Sequence, residues 1–218
     1  MSVITIERKV LEKNDEIAGR NRERFLKHGI FVFDLVSSPG AGKTSLLECT
    51  AEGLKDDLRM AVVAGDIQTD FDAQRVARYG VPAVQIVTRG ACHLDAKLVE
   101  EAMGQLDLGS LDLLVLENVG NLVCPAGYDL GEALKVVVLS TTEGDEKPLK
   151  YPAMFRNASV LVINKIDLLP YVNCDLANMR KNALSINPDL EIFELSCTTR
   201  AGIAEWFTWL KRRTAKNA

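Results

Sequence analysis

The 218 residues of this chain are 47% hydrophobic with a formal net charge of −4, enough for one well-buried soluble domain. No basic excess points to nucleic acid or an anionic membrane as the main partner, no apolar run reaches membrane-spanning length, and the N-terminal stretch is too charged for a signal peptide. Five cysteines, an odd number, in a chain carrying the nucleotide motifs below argue for reduced thiols in the cytoplasm.

Residues 1–28 read as a polar N-terminal helical segment bearing Ile4, Ile6, Val10 and Leu11, expected to pack loosely against the domain or a partner. The apolar run 30–36 predicts a strand, and a helix follows at 44–55. Between them stands Ser37-Ser38-Pro39-Gly40-Ala41-Gly42-Lys43-Thr44, with Ser45 next. Strand, glycine loop, Lys-Thr and helix are what a phosphate-binding P-loop requires. Backbone N–H groups turn inward around the phosphates, Lys43 reaches the β- and γ-phosphates, and the Thr44 hydroxyl ligates Mg²⁺. The helix N-terminus adds its positive end. Ser37 occupies the usual place of the first glycine, while Gly40 and Gly42 hold the tightest part of the loop. Ser38, Gly40, Ala41, Gly42, Lys43, Thr44 and Ser45 are the phosphate-binding candidates.

A second strand, 60–64, ends in Gly65-Asp66, with Asp70 and Asp72 beyond. Acids at a strand end beside phosphates suit Mg²⁺ binding or the positioning of water. Asp66 is the first candidate and Asp70 the second, and one of the three acids can simply cap the helix expected at 71–79. After a strand at 83–87, Arg89-Gly90-Ala91-Cys92-His93 leads into a helix at 94–104, a position that favours thiolate. The strand 113–116 runs into Glu117-Asn118-Val119-Gly120. GTPases place Asp-x-x-Gly here, the acid near Mg²⁺ and the glycine N–H near the γ-phosphate, so the longer Glu117 is expected to reach Mg²⁺ through water. Lys43, Asp66 and Glu117 are the catalytic candidates, and Thr44, Asp66 and Glu117 those for Mg²⁺. Cys124 follows in the loop expected to sense the γ-phosphate. Cys92, His93 and Cys124 suit Zn²⁺ or Ni²⁺, and three ligands under-fill a tetrahedron, so a second subunit or water must complete it. On spacing alone, the trio reads equally well as ordinary packing.

Beyond a strand at 136–139, Thr142-Glu143-Gly144-Asp145-Glu146-Lys147-Pro148 holds one Lys among acids. It reads either as a solvated charged loop or as a nucleotide-sensitive dimer contact in which Lys147 changes its ion pair. A helix is expected at 149–156, then a strand at 160–163 ending in Asn164-Lys165-Ile166-Asp167. The Asp167 carboxylate suits the N1–H and amino group of guanine, Asn164 can hydrogen-bond the base or brace the neighbouring loop, and the Lys165 stem can lie over the ring. Adenine would leave that carboxylate unpaired, so GTP is expected over ATP. After a helix at 175–185, the strand 192–195 ends in Ser196-Cys197-Thr198, which can close over the base. A helix at 203–211 ends the GTP-binding domain, placed at 29–212, and the charged tail, 213–218, is expected to fray from about residue 211. Cys49 and Cys174 read as packing residues. Alternating apolar strands and helices predict an α/β fold of the P-loop NTPase type: a mostly parallel central sheet of about seven strands with helices on both faces.

Taken together, Gly65-Asp66-Ile67-Gln68-Thr69-Asp70, Gly90-Ala91-Cys92-His93-Leu94, the run Glu117-Asn118-Val119-Gly120-Asn121-Leu122-Val123-Cys124-Pro125 and the stretch 142–152 resemble one family. These are the GTPases that assist nickel insertion into [NiFe]-hydrogenase, the HypB family, and the resemblance covers nearly the whole chain after about residue 28. It implies slow GTP hydrolysis with Mg²⁺, a nucleotide-dependent homodimer, and a Ni²⁺ or Zn²⁺ site at the subunit interface using Cys92, His93 and Cys124. It also implies a hydrogenase maturation partner protein and the hydrogenase large subunit as partners. Some members carry a cysteine-rich N-terminal nickel motif or a histidine-rich stretch. Residues 1–28 here hold no Cys and a single His, which leaves the interface site as the candidate. The urease nickel-insertion GTPase is similar but carries a Cys-Pro-His motif that this chain lacks. From another class, a metal-binding scaffold could use GTP only to set its oligomeric state. A nucleotide kinase is disfavoured by Asn-Lys-x-Asp.

Overall fold

The computed structural model describes residues 6–68 and 71–215. Its strands are β1 (Phe31–Ser37), β2 (Met60–Asp66), β3 (Ala83–Val87), β4 (Leu113–Glu117), β5 (Leu134–Ser140), β6 (Val160–Asn164) and β7 (Glu191–Glu194). They form one seven-stranded sheet in the order β3-β2-β4-β1-β5-β6-β7, every neighbouring pair parallel. The continuous Val, Ile and Leu runs are explained by cover on both faces.

The helices are α1 (Ile6–His28), α2 (Lys43–Leu54), α3 (Phe71–Ala77), α4 (Ala96–Met103), α5 (Lys147–Lys150), α6 (Pro152–Asn157), α7 (Leu176–Ile186) and α8 (Ile203–Thr214). On one face, α2, α3 and α8 pack Leu46, Val76, Trp206 and Trp209 against Phe33, Leu35, Val62 and Val138. On the other, α1 and α4 cover Val32, Val63 and Leu114, while α6 and α7 cover Val137, Leu161 and Ile163. The indole N–H of Trp206 donates to Thr50 Oγ1 at 3.0 Å, satisfying its one polar atom in the interior.

Three elements differ from the sequence expectation. The single helix expected at 149–156 is two short helices, α5 and α6, because Pro152 has no N–H to continue the first and pushes Tyr151 out of the helical region, to φ −127° and ψ 51°. The N-terminal helix is seated firmly rather than loosely. Val10 is exposed, and Ile17, Ala18 and Phe25 make the buried face. Asn14 donates to the Asp129 carbonyl at 2.7 Å and accepts from Ala96 N, and Asn21 donates to the carbonyls of Ala96 and Leu130. Ile4 lies outside the described residues. The C-terminal helix continues through Thr214, and Arg213 lies over the Trp209 ring and beside Glu191, so the tail is helical further than expected. Residues 216–218 lie outside the described residues. Among the described residues, no helix is long and apolar enough to cross a membrane.

The central strand β1, with β4 and β2 on one side and β5 and β6 on the other, shares with them one edge of the sheet to which all C-terminal ends point, where ligands collect in open α/β folds.

Candidate functional site

At that edge lies a cleft of about 430 Å³ lined by the loop from Pro39 to Ser45, by Asp66 and Asp72, by Glu117 to Gly120, and by Lys165. The chain leaves β1 at Ser37 and enters α2 through Gly42, whose φ of 104° belongs to the left-handed region. A Cβ on Gly42 would also run into the Asn164 side chain, so glycine is required there twice over. The carbonyls of Gly40 and Ala41 are engaged, accepting from Lys165 Nζ at 2.7 Å and Asn164 Nδ2 at 3.0 Å, which suits a loop whose N–H groups are left to an anion. Ser37, the departure from the glycine pattern, is fully buried, and its Oγ accepts from Lys43 Nζ at 2.8 Å. Burial pushes the Lys43 ammonium below its ordinary value, against the upward pull of Glu117 and Asp72. A triphosphate at this point would supply the missing anionic partner.

The Thr44 hydroxyl meets two carboxylates, Glu117 Oε1 at 2.7 Å and Asp72 Oδ1 at 3.0 Å. One hydroxyl proton serves one acceptor at a time. Glu117 is buried, which raises its carboxyl to about 7, and its Oε2 has no hydrogen-bond partner. Two carboxylates and a hydroxyl converging, with one buried oxygen unsatisfied, fit a divalent cation with oxygen ligands. Thr44 and Glu117 are thus brought together. Asp66 lines the same cleft, but its Oδ1 accepts from Gln68 N at 2.9 Å. Asp70 lies outside the described residues. Sequence reasoning had not singled out Asp72 for this place, nor Arg75, which lines the cleft and is held by Glu48 at 2.5 Å. By sequence Asp66 ranks first and Asp70 second, and it is the pitch of α3 that turns Asp72 and Arg75 inward.

At the other end, Asn164 is buried and spends its amide on the frame. Its Oδ1 accepts from Lys165 N at 2.7 Å and Cys197 N at 3.2 Å, while Nδ2 holds the P-loop. This is the bracing role among the two considered. Asp167 follows in the turn Ile166–Tyr171, and its Oδ1 is buried with no partner, as a carboxylate awaiting a base would be. Ser196 Oγ accepts from Thr198 N and Thr199 N, ordering the loop beyond β7. The Cys197 thiol is pushed up by its hydrogen bond with Cys49 and by burial.

The ligand atoms of Cys92, His93 and Cys124 lie within 4.8 Å of one another. Two soft thiols and an imidazole fit Ni²⁺ or Zn²⁺. Cys92 does not open a helix, however. The helix α4 begins at Ala96 behind the N-cap Asp95, and the Cys92 thiol is held above its usual value, mainly by the hydrogen bond it shares with Cys124. Burial lowers the His93 imidazole, and its ring packs 3.9 Å from that of Tyr128, so it is disposed to stay neutral as a ligand must. Lys147 is half-buried. It lies 3.2 Å from Glu143, an ion pair whose geometry falls short of a hydrogen bond, and over the Tyr151 ring, while Glu143 Oε1 caps Ser140 N.

The family described as CobW/HypB/UreG, nucleotide-binding domain, matches residues 31–194. The chain is 50% identical over 211 residues to the hydrogenase maturation factor HypB of Azotobacter vinelandii, covering 97% of this chain and 70% of that protein. It is 42% identical to the probable hydrogenase maturation factor HypB of Methanocaldococcus jannaschii, covering 97% and 96% of the two chains. The crystal structure of HypB from Helicobacter pylori in complex with nickel superposes with a TM-score of 0.89 at 41% identity, covering 94% of this chain and 96% of that one.

Proposed function

This chain belongs to the HypB family of hydrogenase maturation factors, and from that membership we propose that it is a GTP-hydrolysing metallochaperone that inserts nickel into [NiFe]-hydrogenase. The observation that carries the reading is the shared loop. The segment that begins at Glu117 in the nucleotide cleft ends at Cys124 in the metal cluster. GTP fills the cleft, with its base on Asp167 and its phosphates on the loop from Ser38 to Ser45. Thr44, with Glu117 and Asp72 beside it, would hold Mg²⁺, which would supply neutralisation of the phosphate charge when bound. Gly120 sits against Pro39 of the P-loop, where an added Cβ would come within 3.1 Å, so a γ-phosphate there is felt by the loop directly. Cys92, His93 and Cys124 hold nickel, or zinc, with the fourth position filled from a second subunit. Hydrogenase maturation machinery in the cytoplasm receives the metal, which is cargo.

Steady-state GTP turnover and Ni²⁺ transfer to a hydrogenase large subunit, measured side by side, test this function. Asp72→Ala is expected to lower Mg²⁺-dependent turnover by about 10–100-fold, the usual cost of losing a metal's supporting group, and by more than Asp66→Ala. Equal effects of the two would remove Asp72 from the metal. Nickel transfer that continues unchanged without turnover would favour the scaffold reading.

Lys147 is proposed as the dimer switch. Its present partner, Glu143, is on its own chain, and exchange of that pair for one across the dimer would follow the nucleotide. Lys147→Ala is expected to weaken GTP-dependent dimerisation while GTP binding persists. Sedimentation giving the dimer constant of the unmodified protein would show the loop to be merely a capping element.

A further inference from the structure

Asn118 is 1% exposed and satisfies every side-chain bond it makes across three segments. Its Oδ1 accepts from Leu94 N at 2.9 Å and Val119 N at 3.0 Å, and its Nδ2 donates to Asp34 Oδ1 at 3.0 Å. Leu94 directly follows His93, and it packs so closely on β2 that a Cβ on Gly65 would lie 2.7 Å from it. Asp34, fully buried in β1, accepts from Lys135 Nζ at 2.8 Å with its other oxygen. The remaining bonds of Lys135 go to Glu132 at 2.7 Å and to the Tyr128 carbonyl at 2.8 Å, and the Tyr128 ring is the one packed, tilted by 41°, against His93. The buried chain Asn118–Asp34–Lys135–Tyr128 therefore grips the metal-binding pair from two sides and ties it to the central strand. None of these bonds reaches Cys124, whose neighbours Leu122 and Ala126 are buried by packing against Val36 and Val137, with Asn121 Nδ2 donating to the Cys92 carbonyl at 3.3 Å. Cys124 lies past Gly120, on the stretch that rests against the P-loop.

We propose that Asn118 is a positioning residue, a fixed pivot that holds Cys92 and His93 to the sheet while the loop beyond Gly120 carries Cys124 with the state of the nucleotide. This deepens the function proposed above and rests on its claim that metal and nucleotide sites are coupled. A switch alters ligand geometry only if one part of the ligand set stays still. With the pivot cut, Cys92 and His93 follow Cys124 through the bound metal, and the nucleotide no longer changes their spacing. The three ligands themselves stay in place, so metal still binds.

The test is Ni²⁺ affinity, by competition with a chromophoric chelator, in the forms saturated with GTP analogue and with GDP. In the unmodified chain the two affinities are expected to differ by about 5–150-fold, the span of coupled sites, and in Asn118→Ala to agree within about twofold while sulfur-to-nickel charge-transfer absorption persists. Asn118→Asp sets two carboxylates face to face and is also expected to lose the difference. Adding Asp34→Asn to it restores a donor–acceptor pair, with the new carboxylate still accepting from Leu94 N, and is expected to bring the difference back. This exchange decides the matter even if Asn118→Ala does not fold. A difference that survives in Asn118→Ala, or an exchange that fails to restore it, overturns the pivot and leaves the coupled sites standing. Equal affinities in the unmodified protein overturn both.

Discussion

Exchanging Asp167 for Asn is expected to turn a guanine site into a xanthine site. The buried Oδ1 of Asp167 has no partner in the protein, so its match must come from the ligand, and guanine offers an N1–H and an amino group. An amide keeps one acceptor and presents a donor, which meets the oxygen that xanthine carries in place of the amino group. A site built around a specific polar partner rejects the mismatched ligand by about 10⁴–10⁵-fold, and a change of that order in the ratio of GTP to xanthosine triphosphate affinity is the expected result. Competition binding measures it. Equal ATP and GTP affinity in the unmodified chain would sink the assignment of Asp167.

Lys43→Ala is expected to lower GTP affinity by about 100-fold or more, since breaking a buried charge pair by removing one partner costs roughly 3–5 kcal/mol. Burial of the Lys43 ammonium already pushes it below its ordinary value, with Ser37 Oγ as its hydrogen-bonding neighbour. Its ionised form waits for the phosphates. Isothermal titration with GTP and GDP reads the loss, and an affinity within a few-fold of the unmodified chain would mean that the backbone cradle alone holds the nucleotide.

The sheet was legible because its strands are covered on both faces. An unbroken run such as Leu113 to Leu116 is the pattern of a strand buried on both sides, and all four residues are fully buried. The P-loop and Asn164 to Asp167 were legible because phosphate and guanine each demand particular atoms at fixed spacing. Asp72 was not, since its role depends on the pitch of a short helix. The polar chain from Asn118 to Lys135 was missed for a different reason. Asp34 and Lys135 interrupt two apolar strands with opposite charges, and they stand opposite each other in the register of β1 and β5. A lone charge inside each of two buried strands is a signal that the strands are neighbours. It becomes readable only once the order of the sheet is known. The firm seating of α1 was hidden likewise, because Asn14 and Asn21 do much of the holding and read as solvent-facing residues in a charged helix.

Native mass spectrometry of the whole chain tests the coupling of metal to nucleotide most directly. Spectra are taken with a GTP analogue, with GDP and without nucleotide, each with and without Ni²⁺ or Zn²⁺. Since Cys124 shares a loop with Glu117 and three ligands leave a tetrahedral site open, the GTP-analogue form is expected to hold metal in dimers, with GDP returning both metal occupancy and dimer fraction toward the nucleotide-free values. The same metal stoichiometry and the same monomer–dimer distribution in all three nucleotide states would contradict it.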